Sequence, residues 1–293
     1  MFESLADAVA RAEADGISLG ELALRAEAED GLRSRAEVEQ ALVRALRIMR
    51  GAIARGSEEE LRSVSGLVGG DAIRVRKGRG PLAGTIFTDV LAGALAVQEV
   101  NAAMGVIVAA PTAGGAGVLP GVLLGIGNRV GATDEQLVRG LAAAGLVGAV
   151  VAVRASLSGA EGGCQAETGA AAGMAAAAGI EILGGSPEDA VHAVSLTMQG
   201  TLGLVCDPLG GLVEVPCVYR NATGGAMALA GIEMALAGVR FPIPADEVID
   251  TMGEIGRSMD VRYRETAGGG LAATPTGRKL AKERLVQLKR PGM

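Results

Sequence analysis

The sequence predicts an all-α protein with a glycine- and alanine-rich helical core, on three observations. Aromatic residues are only 2% of the 293 residues, and tryptophan is absent. Strands recruit β-branched and aromatic side chains, whereas Ala, Val, Leu, Ile and Met beside 46 glycines suit closely packed helices. Third, Ser or Thr followed three residues on by Glu or Gln recurs ahead of apolar runs with helical spacing.

Taken in order, the first sixty residues are rich in Glu, Arg and Ala, with Val38, Leu42, Leu46 and Met49 at helical spacing. Ser18 with Glu21, Ser34 with Glu37 and Ser57 with Glu60 mark helix starts. Two or three amphipathic helices with solvated charged faces are expected. At Ser63 the composition turns to Gly, Ala and Val, which divides the chain into a charged helical segment, 1–62, and a main domain, 63–293. SGLVGGDA (Ser65 to Ala72) is too glycine-rich for an uninterrupted helix and reads as a shaped loop.

A helix is expected from Ile86 to Met104, and APTAGGAGVLPG (Ala110 to Gly121) interrupts the apolar pattern. Thr133 with Gln136 opens a helix through LAAAGLVGAVVAVRAS. A buried strand over VGAVVAV is the alternative, because periodicity does not decide short apolar runs. QAETGAAAGMAAAAG has almost no side-chain bulk and should pack tightly, its helix N-terminus beside Cys164. Ser186-Pro187-Glu188-Asp189 combines an N-cap, a proline at N1 and first-turn acids. Further helices are expected over Asn221 to Ala237 and from near Pro244.

Several function classes are disfavoured. Net charge is −6, and no basic cluster is interleaved with aromatics, so a nucleic-acid partner is not expected. Neither a GxxxxGK[ST] loop nor a dinucleotide fingerprint after a convincing strand occurs, which argues against nucleotide binding. Mean hydropathy is positive and no charge lies between Glu99 and Arg129. Pro111, Pro120 and Gly114, Gly115 and Gly117 nevertheless break that stretch, so no membrane span is expected there. The N-terminal MFESLADAVARAEADG is charged and has no signal-peptide apolar core, so a cytoplasmic location is expected.

Chemistry concentrates at three cysteines. Cys164 lies in SGAEGGCQAETG (Ser158 to Gly169), and Cys206 and Cys217 end CDPLGGLVEVPC. Gly162 and Gly163 precede Cys164, Pro208 follows Cys206, and Pro216 precedes Cys217; these residues control backbone shape. A buried free cysteine behaves as a small hydrophobe, so each alone reads as core. An odd count disfavours a disulfide framework, and a structural zinc usually takes four ligands, often in CxxC pairs. Core packing and metal or cluster ligation both remain open on spacing alone.

Other candidates divide between structural and functional readings. His192 is the only histidine and falls mid-helix, where a structural or exposed role is expected. Glu161 fits a capping box with Ser158; Glu167, three residues after Cys164, and Asp207 read as supports of the cysteine turns. Arg220 offers a bidentate fork for a substrate carboxylate, and Asn221 either joins it or caps the next helix. Thr112, Gly114 and Gly115 supply a hydroxyl and backbone N–H groups of the kind that bind anions.

SGAEGGCQAETG and CDPLGGLVEVPCVYRNA resemble the alpha chain of iron–sulfur L-serine dehydratase (L-serine ammonia-lyase). So do SGLVGGDA, APTAGGAGVLPG and YRETAGGGLAATPTG (Tyr263 to Gly277), five motifs in one order from about Ser65 onward. The resemblance implies a 4Fe–4S cluster on Cys164, Cys206 and Cys217, and conversion of L-serine to pyruvate and ammonia without PLP. Residues 63–293 would be the catalytic domain, the iron without a cysteine would help the hydroxyl depart, and the general base is unassigned. It also moves Thr112, Gly114 and Gly115 toward the substrate site, where Arg220 and Asn221 are candidates by their place just after Cys217. The Ser- and His-bearing domain of single-chain members has no counterpart here, so an alpha subunit with a separate beta chain, in an oligomer, is expected. Some relatives carry a C-terminal cysteine proposed for the fourth cluster site; Arg290-Pro291-Gly292-Met293 offers none. The competing classes are a non-catalytic cluster- or zinc-binding subunit, a zinc hydrolase and a membrane component.

Overall fold

Thirteen α-helices order the residues that the computed structural model describes, 2–31 and 33–288. They are α1 (Leu5–Asp15), α2 (Leu19–Asp30), α3 (Arg35–Glu58), α4 (Asp71–Arg76), α5 (Ile86–Ala102), α6 (Val118–Val130) and α7 (Asp134–Arg154). After these come α8 (Gly159–Gly162), α9 (Ala170–Leu183), α10 (Pro187–Met198), α11 (Cys217–Leu236), α12 (Ala245–Ser258) and α13 (Pro275–Leu288). Among the described residues there is no sheet, only one isolated bridge between Cys206 and Arg264. The all-α expectation holds, and VGAVVAV is helix within α7. The C-terminal Arg290–Met293 lies outside the described residues.

Local chemistry sets most helix starts. Ser34 with Glu37, Thr133 with Gln136 and Ser186 with Asp189 form reciprocal capping boxes. Ser18 accepts from the Glu21 N–H, but its hydroxyl donates to Glu181 on α9, so only half of that box is local. Ser57 starts nothing. It lies in the last turn of α3, whose buried stripe Val38, Leu46, Met49, Ala52 and Gly56 carries the helix past the capping signal. Helix α5 ends at Ala102, and Met104, expected to be its last residue, sits outside it at φ 60°.

The core centres on α9, whose Ala and Gly side let α7, α10, α6 and α11 pack closely around it. Helix α7 is long and apolar enough to cross a membrane, yet 67% of that window is buried inside the protein. The composition change at residue 63 does not separate two cores. Leu5, Leu19, Leu46 and Met49 join one apolar cluster with α6, α7, α9 and α10. The Asp246 carboxylate on α12 also caps α1, accepting from the Leu5 and Ala6 N–H groups at 2.8 and 3.1 Å.

Two glycines of α3 should respond oppositely to one added methyl group. Gly51 is exposed with nothing near a would-be Cβ, so Gly51→Ala should stabilise by about 1 kcal/mol through helix propensity. A Cβ on Gly56 would stand 2.7 Å from the Ala96 Cα, on backbone that cannot yield. Overpacking of about 1–3 kcal/mol exceeds the propensity gain, so Gly56→Ala should destabilise. Urea denaturation midpoints check both signs.

Candidate functional site

Three turns carry the cysteines, and those at Cys164 and Cys206 are held by backbone bonds to distant chain. Cys164 heads the helix that becomes α9, and residues Gln165–Gly169 form a π turn before it. Gly163 has φ +74°, and a Cβ there would lie 2.8 Å from the Leu204 carbonyl oxygen, so only glycine fits. The Gln165 N–H donates to Leu204 O at 3.0 Å, and its Oε1 accepts from the Gly203 N–H at 2.8 Å. Those contacts aim the chain at Cys206. The Cys206 N–H donates to Tyr263 O, and its carbonyl accepts from the Glu265 N–H, both at 2.8 Å.

Cys217 opens α11, four residues ahead of the expected start at Asn221. Pro216 precedes it, and a residue without an N–H is well tolerated where helical N–H groups have no partner. Asn221 therefore does not cap α11. It is fully buried; its amide donates to Gly114 O at 2.6 Å and Cys217 O at 2.9 Å, and its Oδ1 accepts from the Gly117 N–H at 2.9 Å. Asn221 thus fastens the loop around Gly114 and Gly115 to the cysteine helix.

Arg220 is largely buried near Cys164 and Cys217. Its Nη1 donates to Val205 O at 2.8 Å and lies 2.8 Å from Asp207 Oδ1, although no N–H points straight at that oxygen. The other Asp207 oxygen accepts from the Leu271 N–H at 2.6 Å. Gly270 makes that possible, since it has φ +57° and a Cβ would lie 2.6 Å from the Asp207 Cβ. Thr112 donates to Glu167 Oε1 at 2.7 Å, and Glu167 Oε2 lies 3.8 Å from Cys206 Sγ. Cys164 Sγ is 3.1 Å from Thr168 Oγ1.

All three cysteines are free and buried, exposed by 2 to 4%. Burial pushes each thiol up, Cys217 to about 12 and Cys206 further, and the neighbouring thiols and Glu167 add to the rise in both. For Cys164, burial raises the value while Thr168 and Arg220 oppose it. Burial likewise raises the Glu167 carboxyl, opposed by the Thr112 hydrogen bond. The three thiols lie within electrostatic reach of one another, with a guanidinium to offset their charge.

Three thiols are the donor type that iron–sulfur clusters take. Among the described residues no three His, Cys, Asp or Glu side chains are drawn together tightly enough for a single ion. Zinc–sulfur bonds of about 2.3 Å would require such convergence. A cluster takes each thiolate on a different iron, so its cysteines stand further apart.

Other expected residues lie elsewhere. Glu161 accepts from the Ser156 hydroxyl at 2.6 Å, and Ser158 makes no side-chain cap, so the box between them does not form. His192 sits 3.7 Å from Glu188, one turn along α10.

Two buried acids escaped the sequence reading. Glu214 accepts from the N–H of Ser65 at 3.0 Å and from its hydroxyl, tying SGLVGGDA to the cysteine segment. Glu99 accepts from the Asp71 and Ala72 N–H groups at the other end of that motif. The signal for each was a lone acid in an apolar run.

Residues 14–272 match the family described as Serine dehydratase alpha chain. The chain is 46% identical over 287 residues to the probable L-serine dehydratase, alpha chain, of Bacillus subtilis (strain 168), covering 97% of this chain and 95% of that one. It is 46% identical over 202 residues to the L-serine dehydratase, alpha chain, of Peptoniphilus asaccharolyticus, 69% of each. Against L-serine dehydratase TdcG of Escherichia coli (strain K12) it is 36% identical over 285 residues, which is 92% of this chain and 61% of that one.

Proposed function

This chain belongs to the serine dehydratase alpha chain family, and on that premise we propose that it is the alpha subunit of an iron–sulfur L-serine dehydratase, converting L-serine to pyruvate and ammonia. The observation that carries the reading is the meeting of three buried free thiols on shaped turns, with Arg220 among them. Cys164, Cys206 and Cys217 would hold a 4Fe–4S cluster, whose iron without a cysteine supplies a Lewis acid for the departing hydroxyl.

The protein's own residues would do the rest. The amides of Gly114 and Gly115 have no partner among the described residues and offer donors to the substrate carboxylate, while Thr112, its one hydroxyl proton given to Glu167, holds the loop. Asn221 holds that loop in place. Arg220 shapes the site from below by fixing the turn from Val205 to Asp207. A positioned base takes the α-proton as hydroxide leaves, and the resulting aminoacrylate tautomerises to an imine that water hydrolyses to pyruvate and ammonia.

The alpha-chain names of the relatives, and the greater length of TdcG, support a separate beta chain that completes the site. Anaerobic reconstitution with iron and sulfide, followed by pyruvate release from L-serine, tests the activity. Adding the beta chain should raise turnover about tenfold or more, since one lost acid–base group typically costs about a hundredfold or more. Failure to bind iron would remove the cluster reading. Equal turnover with and without the beta chain would place the base on this chain.

A further inference from the structure

Three segments distant in sequence close on one carboxylate. Glu167 projects from the π turn after Cys164, and such turns inside helices are frequent at functional sites. Oε1 accepts from Thr112 at 2.7 Å, and Oε2 lies 3.8 Å from Cys206 Sγ. A Cβ on Gly114 would stand 2.6 Å from Oε1, and one on Gly159 would stand 2.6 Å from Oε2 and 3.2 Å from Cys206 Sγ. The APTAGG loop, the turn before Cys164 and the Cys206 turn are therefore all shaped around this side chain.

Burying a carboxylate is costly unless it is paired. Glu167 is 8% exposed, and among the described residues no Lys, Arg or His lies at ion-pair distance from it. Nothing in the packing of α9 requires an acid there, because the neighbouring Ala170, Ala171 and Ala172 meet their surroundings with methyl groups alone. What the carboxylate joins is the Thr112 loop on one oxygen and the Cys206 turn on the other.

We infer that Glu167 is a positioning residue for serine dehydration, setting the Thr112 loop against the Cys206 turn so that substrate and the cysteine-held group meet in register. Its role in the reaction rests on the dehydratase reading; its hold on the loop does not. Glu167→Gln keeps the shape and an acceptor oxygen but removes the charge. Glu167→Ala and Thr112→Val remove the link from either end.

The test uses the full-length chain as purified and after anaerobic reconstitution. Amide hydrogen exchange at Ala116 and Gly117, whose N–H groups donate to Ala113 O and Asn221 Oδ1, should quicken about tenfold in Glu167→Ala and Thr112→Val, the scale of one lost hydrogen bond to a charged group, and stay near wild type in Glu167→Gln. In the reconstituted protein the two link-breaking variants should raise the KM for serine about tenfold at unchanged iron content. Glu167→Gln should instead alter the visible absorption and electron paramagnetic resonance of the bound iron, because a charge beside Cys206 is gone. Unchanged exchange in both link-breaking variants overturns the coupling. Faster exchange with unmoved KM and unmoved spectra reduces Glu167 to a packing strut and overturns its positioning role. A chain that binds no iron would refute the cluster reading while leaving the exchange result to stand or fall alone.

Discussion

Cys206→Ala should lose most of the iron bound on anaerobic reconstitution and, with it, serine turnover. Cys206 is the thiol most firmly set by its backbone, clamped between Tyr263 O and the Glu265 N–H, and neither contact involves its side chain. The substitution therefore removes the sulfur and leaves the turn. Trimming one buried heavy atom should lower the stability of the iron-free chain by only about 1 kcal/mol, so loss of iron would report ligation and not unfolding. Cys164→Ala and Cys217→Ala should behave alike. Iron and sulfide per chain, measured beside pyruvate formation, check the set. Full iron occupancy in any one variant would strike that cysteine from the ligands.

Arg220→Ala should be the most damaging single change to stability among the polar residues of the site. Asp207 is 2% exposed, and Arg220 is the only cation paired with it among the described residues. Removing the guanidinium strands a buried carboxylate, a loss of about 3–5 kcal/mol when one partner of a buried pair is deleted. Whole-domain stabilities are about 5–15 kcal/mol, so the urea midpoint should fall far. Adding Asp207→Asn to Arg220→Ala should recover part of the loss, because the stranded charge disappears; a coupling of about 0.5–3 kcal/mol is expected. A loss below about 1 kcal/mol for Arg220→Ala would mean that solvent screens the pair as it does on a surface.

Arg220 also shows what residue type alone does not reveal. Its chemistry suggests a fork for a substrate carboxylate, and the structure adds that Nη1 is directed at Val205 and Asp207. Asn221 looks like a helix cap because such residues favour that position, yet its amide bridges a loop more than one hundred residues away. The Ser57–Glu60 pattern is indistinguishable in sequence from Ser34–Glu37. Only the second starts a helix, because the first lies where α3 is still buried against α5.

What the sequence by itself determined is what depends on neighbours within a turn or two. Capping at Ser34, Thr133 and Ser186, the helical period of the first segment, the all-α class and the glycine and proline framing of the three cysteines could all be read from it. Only the tertiary structure decided which of these local shapes meet. Thr112 finds Glu167 across 55 residues, Ser65 finds Glu214 across 149, and Asp207 finds Leu271 across 64. No periodicity encodes such pairs. They follow from burial, which makes an unpaired polar group costly and leaves each buried acid to take whichever donor the packed helices bring to it.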